Sequence, residues 1–140
     1  LFETLGFPES SIRTPFRALD IIKSAKVNNF KVVADLFHWF MGGVTIKDLD
    51  DKLDINDVGL IHISTVIADL DKSEMTDQNR VVLTDSKKDK IGAVDMLKWF
   101  DQHGYKGLYS FEGFSDELRN WDYDTAKANL TKSIELLEKI

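Results

Sequence analysis

The sequence predicts an α/β protein, a (β/α)4 half of a TIM-type (β/α)8 barrel with parallel strands and outer helices. Three observations predict it. Short apolar runs alternate with amphipathic stretches along the whole chain. The runs are nearly continuous in apolar residues, the pattern of parallel strands covered by helices. The chain has 140 residues, whereas a complete eight-unit barrel takes about 250, so four units fit half of one. The competing architecture, a small doubly wound sheet, lacks a Gly-rich phosphate loop to mark its binding crevice.

The first run, residues 1–7, reads as a strand and ends in the turn cluster Pro8-Glu9-Ser10-Ser11. Thr14-Pro15 reads as an N-cap followed by proline at the first helical position. Phe16, Leu19, Ile22 and Ala25 then recur at helical spacing until Asn28-Asn29. Residues 30–40 form the second run and close in Gly42-Gly43. Thr45 is expected to cap a short helix over 46–54, and residues 58–64 form the third run. Residues 65–88 are polar and irregular, a long loop. A helix over 89–102 places Ile91, Val94, Leu97, Trp99 and Phe100 toward a core and ends at His103-Gly104. The fourth strand spans 106–111. The last helix, 123–139, repeats Ala126, Leu130, Ile134 and Leu137 on one face.

No linker or low-complexity segment divides residues 1–140. Because the chain starts with Leu inside an apolar run, it is expected to be part of a longer barrel. Its outer strands would otherwise be open edges. The missing half would come from another chain, a cleaved N-terminal segment or a second copy.

Apolar residues make up 43% and charged residues 30%, the composition of a soluble domain. No apolar run approaches the roughly eighteen residues of a membrane span, and no secretory leader is visible. With no cysteine, disulfides and thiolate metal sites are excluded, and a cytoplasmic location is expected. A net charge of −6 argues against nucleic acid, whose binding relies on neutralising phosphates.

Chemistry in parallel α/β folds sits at the C-terminal ends of the strands. Each predicted strand carries a polar group there: Glu3, Asp35 with His38, His62, and Glu112. Burying such groups is costly unless they are paired or bind a metal. Three carboxylates and an imidazole suit Mn²⁺, Mg²⁺, Co²⁺ or Zn²⁺. His38, three residues past Asp35 on what reads as the same strand end, either faces the same cavity or lies outside it. Arg80 in the long loop is a candidate for a substrate oxygen, and Trp39 a candidate wall of a sugar pocket. The run Asp48-Leu49-Asp50-Asp51 does not match a calcium loop and reads as a solvated helix face.

Leu1-Phe2-Glu3, Asp35-Leu36-Phe37-His38, Ile61-His62-Ile63-Ser64 and above all the stretch from Gly104 to Glu112 (Gly-Tyr-Lys-Gly-Leu-Tyr-Ser-Phe-Glu) resemble the xylose isomerase-like TIM-barrel superfamily, in its sugar phosphate isomerase/epimerase branch. The resemblance covers nearly the whole chain and implies strands five to eight, the C-terminal half. It implies that Glu3, Asp35, His62 and Glu112 are the metal ligands, that Glu3 and Glu112 exchange protons with the substrate, and that His38 and Arg80 contact substrate oxygens. The sequence departs from the family at Thr65, where an acidic residue is common, and at residues 84–88, where a Gly-rich turn is common.

The expected activity is metal-dependent isomerisation or epimerisation of a ketose, inosose or sugar phosphate through an enediolate, the nearest flavour being enzymes of inositol catabolism. The alternatives are an inosose dehydratase-like lyase on the same residues and an inactive half-barrel. An endonuclease needs a richer histidine cluster than three His provide.

Overall fold

Strands β1 (Phe2–Glu3), β2 (Val32–Asp35), β3 (Val58–Ile63) and β4 (Leu108–Phe111) pair side by side in chain order, every pair parallel. Six helices connect or flank them: α1 (Pro15–Ser24), α2 (Leu36–Gly42), α3 (Ile46–Lys52), α4 (Ala93–Gln102), α5 (Asp116–Arg119) and α6 (Tyr123–Leu137). The computed structural model describes residues 1–140. The fold is thus the expected α/β architecture of a parallel four-stranded sheet with helices.

Register fixes which side chains share a face. Glu3 pairs with Val33, Asp35 with His62, and His62 with Ser110. Side chains alternate along a strand, so Glu3, Val33, Asp35, Leu60, His62, Leu108 and Ser110 lie on one face, with Glu112 next in the alternation. Val32, Ala34, Ile61 and Ile63 point the other way. All four are buried, packed with Leu36, Phe37, Trp39, Leu97 and Phe100 from α2 and α4. The first face carries no helix, and Leu108 on it is 74% exposed.

Several boundaries differ from the sequence reading for local reasons. β1 is two residues long because the chain turns off at Gly6, whose carbonyl accepts two hydrogen bonds from Arg13. A Cβ on Gly6 would strike the His38 carbonyl, so only glycine lets this turn lie against α2. β2 stops at Asp35, whose carboxylate accepts the His38 N–H at 2.8 Å and caps α2. Residues 36–40, expected as strand, are therefore helix. Helix α1 ends at Ser24 because Lys26 takes a left-handed conformation, φ 54°. Thr14 and Thr45 cap α1 and α3 as expected, Thr45 in a capping box with Asp48. Helix α4 starts at Ala93, after the Asp89 carboxylate has taken the N–H groups of Ile91 and Val94.

On α6 the inward face holds Ser133 and half-buried Leu136 and Leu137, whereas Ile134 turns outward. The 65–88 loop contains three short 3-10 turns and folds back through an antiparallel bridge between Thr65 and Val81. His103 ends α4 as expected, stacked on Trp99 at 3.9 Å. The Asp-rich run lies on α3, where Asp50 accepts a hydrogen bond from the Trp99 indole.

Candidate metal centre

Glu3, Asp35, His62 and Glu112 come from four successive strands, and one ligand atom of each lies within 4.8 Å of all the others. The strand-end positions predicted from sequence therefore converge. The His62 Nδ1 is 2.9 Å from Glu112 Oε2, 3.4 Å from Glu3 Oε1 and 3.7 Å from Asp35 Oδ2. Asp35 is fully buried; the other three are half-buried and reachable from the open face.

Arg80 locks two of these carboxylates. Its Nη2 donates to Asp35 Oδ2 at 2.5 Å and to Glu112 Oε2 at 2.8 Å. Its Nη1 donates to Asp77 and lies 3.5 Å from His38 Nε2, and its Nε donates to Ser64. The guanidinium sits between the rings of Phe37 and Phe114, about 5 Å from each centroid. Its carbonyl accepts the N–H groups of Phe114 and Ser115, which ties the long loop to the segment after β4. Arg80 is 1% exposed, and every N–H faces a protein group. These contacts occupy the donors of Arg80 and orient Asp35 and Glu112, while the side chain also lines the cavity over the cluster.

The electrostatics follow from this crowding. Burial opposes the Asp35 charge, but His62, Glu112 and Arg80 together more than offset it and hold Asp35 well below the usual carboxylate range. Burial, then the neighbouring Asp35, pushes Glu112 up to about 7 against the pull of Arg80. The Asp35 carboxylate, aided by Glu112 and Glu3, raises His62 to about 9. With the imidazole neutral, as a metal ligand must be, three carboxylates against one guanidinium leave about two negative charges uncovered, which a divalent cation would neutralise. A donor set of carboxylate oxygens and one imidazole nitrogen suits such an ion.

His38 is brought near but not into the cluster. It stands in the first turn of α2 rather than on a strand, buried against Phe7 and Phe37. Its Nε2 faces Arg80 and Asp77, its Nδ1 has no hydrogen-bond partner, and burial lowers its pKa. Trp39 is corrected outright. One residue on, it turns to the opposite side of α2, where it is completely buried against Phe100, so it lines no sugar pocket. Thr65 is also structural: its hydroxyl donates to Asp89 at 2.7 Å and fixes the start of α4.

A cavity of about 280 Å³ opens over the cluster, lined by Glu3, Leu5, His38, Asp77, Arg80 and Phe114 among others. Asp77, Ser64 and Phe114 were not singled out from the sequence. Ser64 and Phe114 flank predicted ligands closely in sequence, whereas Asp77 lies in an irregular loop with no pattern to mark it.

Comparison with known proteins agrees with this architecture. The chain is 28% identical to an inosose isomerase from Halalkalibacterium halodurans over 138 residues, which is 98% of this chain and 47% of that protein. A crystal structure of a xylose isomerase domain containing protein from Salmonella typhimurium LT2 superposes with TM-score 0.90 at 32% identity, covering 97% of this chain and 49% of the other. An IolI protein solved with a bound zinc atom shares the fold at TM-score 0.81 and 22% identity, over 98% and 48% of the respective chains. The chain thus spans about half the length of the relatives it matches. No helix is long and apolar enough to cross a membrane. The family model described as xylose isomerase-like TIM barrel matches residues 1–140, and the chain belongs to that family.

Proposed function

We propose that Glu3, Asp35, His62 and Glu112 bind one divalent metal ion, and that the chain is the C-terminal half, strands five to eight, of a barrel that isomerises or epimerises a ketose, inosose or sugar phosphate. The observation that carries this reading is the convergence of four ligand atoms at the ends of four successive parallel strands. The half-barrel reading is supported by the open face, by the unpaired outer edges of β1 and β4, and by a match to about half of each relative. The remaining strands would come from the rest of a longer polypeptide, a separate chain or a second copy. A cytoplasmic role in carbohydrate metabolism goes with this reading, and a relative is named inosose isomerase.

A bound ion would supply a Lewis-acidic anchor for substrate oxygens and stabilise the negative charge of an enediolate. The chain's own residues do the rest. Glu3 and Glu112 stand on the two outer strands, with Asp35 and His62 between them, so a substrate lying over the open face meets one carboxylate from each side. One removes the proton next to the carbonyl, and the other delivers a proton to complete the isomerisation. Asp35, capped into α2 and gripped by Arg80, serves as the fixed ligand. Arg80 acts through Asp35 and Glu112 as a positioning residue, and His38 stands at the cavity wall within reach of a substrate hydroxyl.

Exchange of substrate hydrogen with D₂O tests the assignment. Glu112→Gln should slow exchange by roughly a hundredfold or more, with metal content measured in parallel to separate lost ligation from lost proton transfer. Full-rate exchange in that variant would sink the assignment. The zinc of the IolI structure makes Zn²⁺ one ion to titrate beside Mn²⁺, Mg²⁺ and Co²⁺.

A further inference from the structure

One carboxylate in the cavity over the cluster takes no part in the proposed metal site. Asp77 lines that cavity beside Glu3, Glu112 and Arg80. The 3-10 turn Asp77–Asn79 fixes its place: the Arg80 N–H donates to the Asp77 carbonyl at 3.1 Å, and the Thr76 N–H donates to Asn79 Oδ1 at 2.7 Å. The Arg80 carbonyl in turn accepts from Phe114 and Ser115, so Asp77 stands on backbone tied to the segment after β4. Its Oδ1 accepts a hydrogen bond from Arg80 Nη1 at 3.0 Å and lies 3.9 Å from His38 Nε2. Its Oδ2 has no protein partner, and the side chain is 43% exposed.

The charges around this cavity do not cancel. Arg80 is the only Lys or Arg that lines it, and its N–H groups face Ser64, Asp77, His38, Asp35 and Glu112. It has no donor to spare for an anionic ligand. A divalent ion together with Arg80 balances Glu3, Asp35 and Glu112. Asp77 is then the surplus charge of the site, and it is negative. It offers a ligand an acceptor oxygen and a repulsive field. Hydroxyl groups, which donate, are matched by the first. A phosphate group, with close to two negative charges and acceptor oxygens of its own, is opposed by the second.

We infer that Asp77 determines substrate choice at this site: its free oxygen accepts a hydrogen bond from a hydroxyl of an uncharged polyol lying over the cluster, and its charge turns away a substrate that carries phosphate there. This inference rests on the isomerase reading and narrows its substrates to unphosphorylated ketoses and cyclitols. The two oxygens of Asp77 divide the work. Oδ1 holds Arg80 Nη1, which leaves Nη2 aimed at Asp35 and Glu112. Oδ2 serves the ligand. A residue that only held Arg80 in place would affect neutral and phosphorylated sugars alike, so discrimination between the two is the property that separates the roles.

The experiment is amide NMR on the 140-residue chain loaded with Zn²⁺, titrated at constant ionic strength with D-fructose and with D-fructose 6-phosphate. Metal affinity is measured separately for each variant. The wild type should bind fructose ahead of its phosphate, with shifts at residues 77–80 and around Glu112. Asp77→Asn keeps an oxygen for Arg80 but loses the charge, and should move the preference toward the phosphate by roughly tenfold. Asp77→Ala, which loses the acceptor as well, should weaken fructose by roughly tenfold. A wild type that prefers the phosphate would overturn the inference, and so would an unchanged preference in Asp77→Asn. Weaker metal binding in Asp77→Asn with that preference intact would reduce Asp77 to a support for Arg80. Each of these results leaves the isomerase reading standing. A Zn²⁺-loaded wild type that binds neither sugar would count against that reading and the inference together.

Discussion

The two faces of the sheet are built from the same four strands, often from adjacent residues, yet they follow opposite rules. On the helix-covered face Val32, Ala34, Ile61 and Ile63 are buried in an apolar core. On the other face Asp35 and His62 alternate with them and carry charge, Leu108 is exposed, and no helix intervenes. The covered face holds the fold together by removing apolar area from water. The open face gathers carboxylates that oppose one another and are restrained by a buried guanidinium and the His62 ring. Stability and chemistry are thus divided by the alternation of side chains along each strand, so a shift of one residue in register would exchange them.

The sharpest way to break this division is at Asp35, which belongs to both halves of it. The side chain faces the cluster, but it also caps α2 and pairs with Arg80. Removing one partner of a buried ion pair costs roughly 3–5 kcal/mol. Asp35→Ala should therefore lower the unfolding free energy measured by chemical denaturation by that order and abolish metal binding. Asp35→Asn retains a capping oxygen and should recover part of the stability with none of the metal affinity. Wild-type metal affinity in Asp35→Asn would show that the open face does not depend on its buried carboxylate.

pH separates the faces next, because His62 and Glu112, both shifted upward, lie on the open face. In the metal-free chain His62 is raised to about 9, so its contribution to stability is complete below its unfolded value near 6.5 and is lost as pH rises through 9. Glu112, raised to about 7, contributes in full below 4.5 and loses that contribution as pH rises through 7. Asp35 has the opposite sign, but its lowered pKa places its loss in the acid range, below 3.8. The metal-free thermal midpoint should therefore fall steadily between pH 5 and 9. A divalent ion replaces the protons on His62 and Glu112, so it should raise the midpoint most at the alkaline end. Calorimetry in two buffers of different ionisation enthalpy should record proton release on metal binding at pH 7. A metal-free midpoint that rises over this range, or binding without proton release, would contradict the crowded-charge account.

How much of this was legible in the sequence depended on the range of the interactions involved. The strand–helix alternation and the four strand-end polar side chains that converge were readable because periodicity and position along each run are local properties. The end of β2 was not, since the apolar run from Phe30 to Phe40 conceals the cap at Asp35 that turns the chain into α2. That one boundary moved His38 onto a helix and sent Trp39 into the core. Arg80 was singled out from the sequence, but its partners were not. Its contacts reach Asp35, Ser64 and Glu112 from across the fold, and no spacing rule encodes them.

The smallest effect is expected at Leu108, and its smallness is informative. Leu108 and Ile61 are aliphatic residues on neighbouring strands, one 74% exposed on the open face and the other completely buried. Ile61→Ala should cost roughly 2–5 kcal/mol, whereas Leu108→Ala should stay within about 0.5 kcal/mol in the isolated chain. If the open face is half of a closed barrel, the small effect at Leu108 is conditional. Once the remaining strands are supplied, Leu108 leaves water, and Leu108→Ala should weaken their association while leaving this chain's own unfolding midpoint in place. A large loss of stability in the isolated Leu108→Ala chain would mean that the face is already covered. No effect in the presence of the remaining strands would mean that they do not close over it.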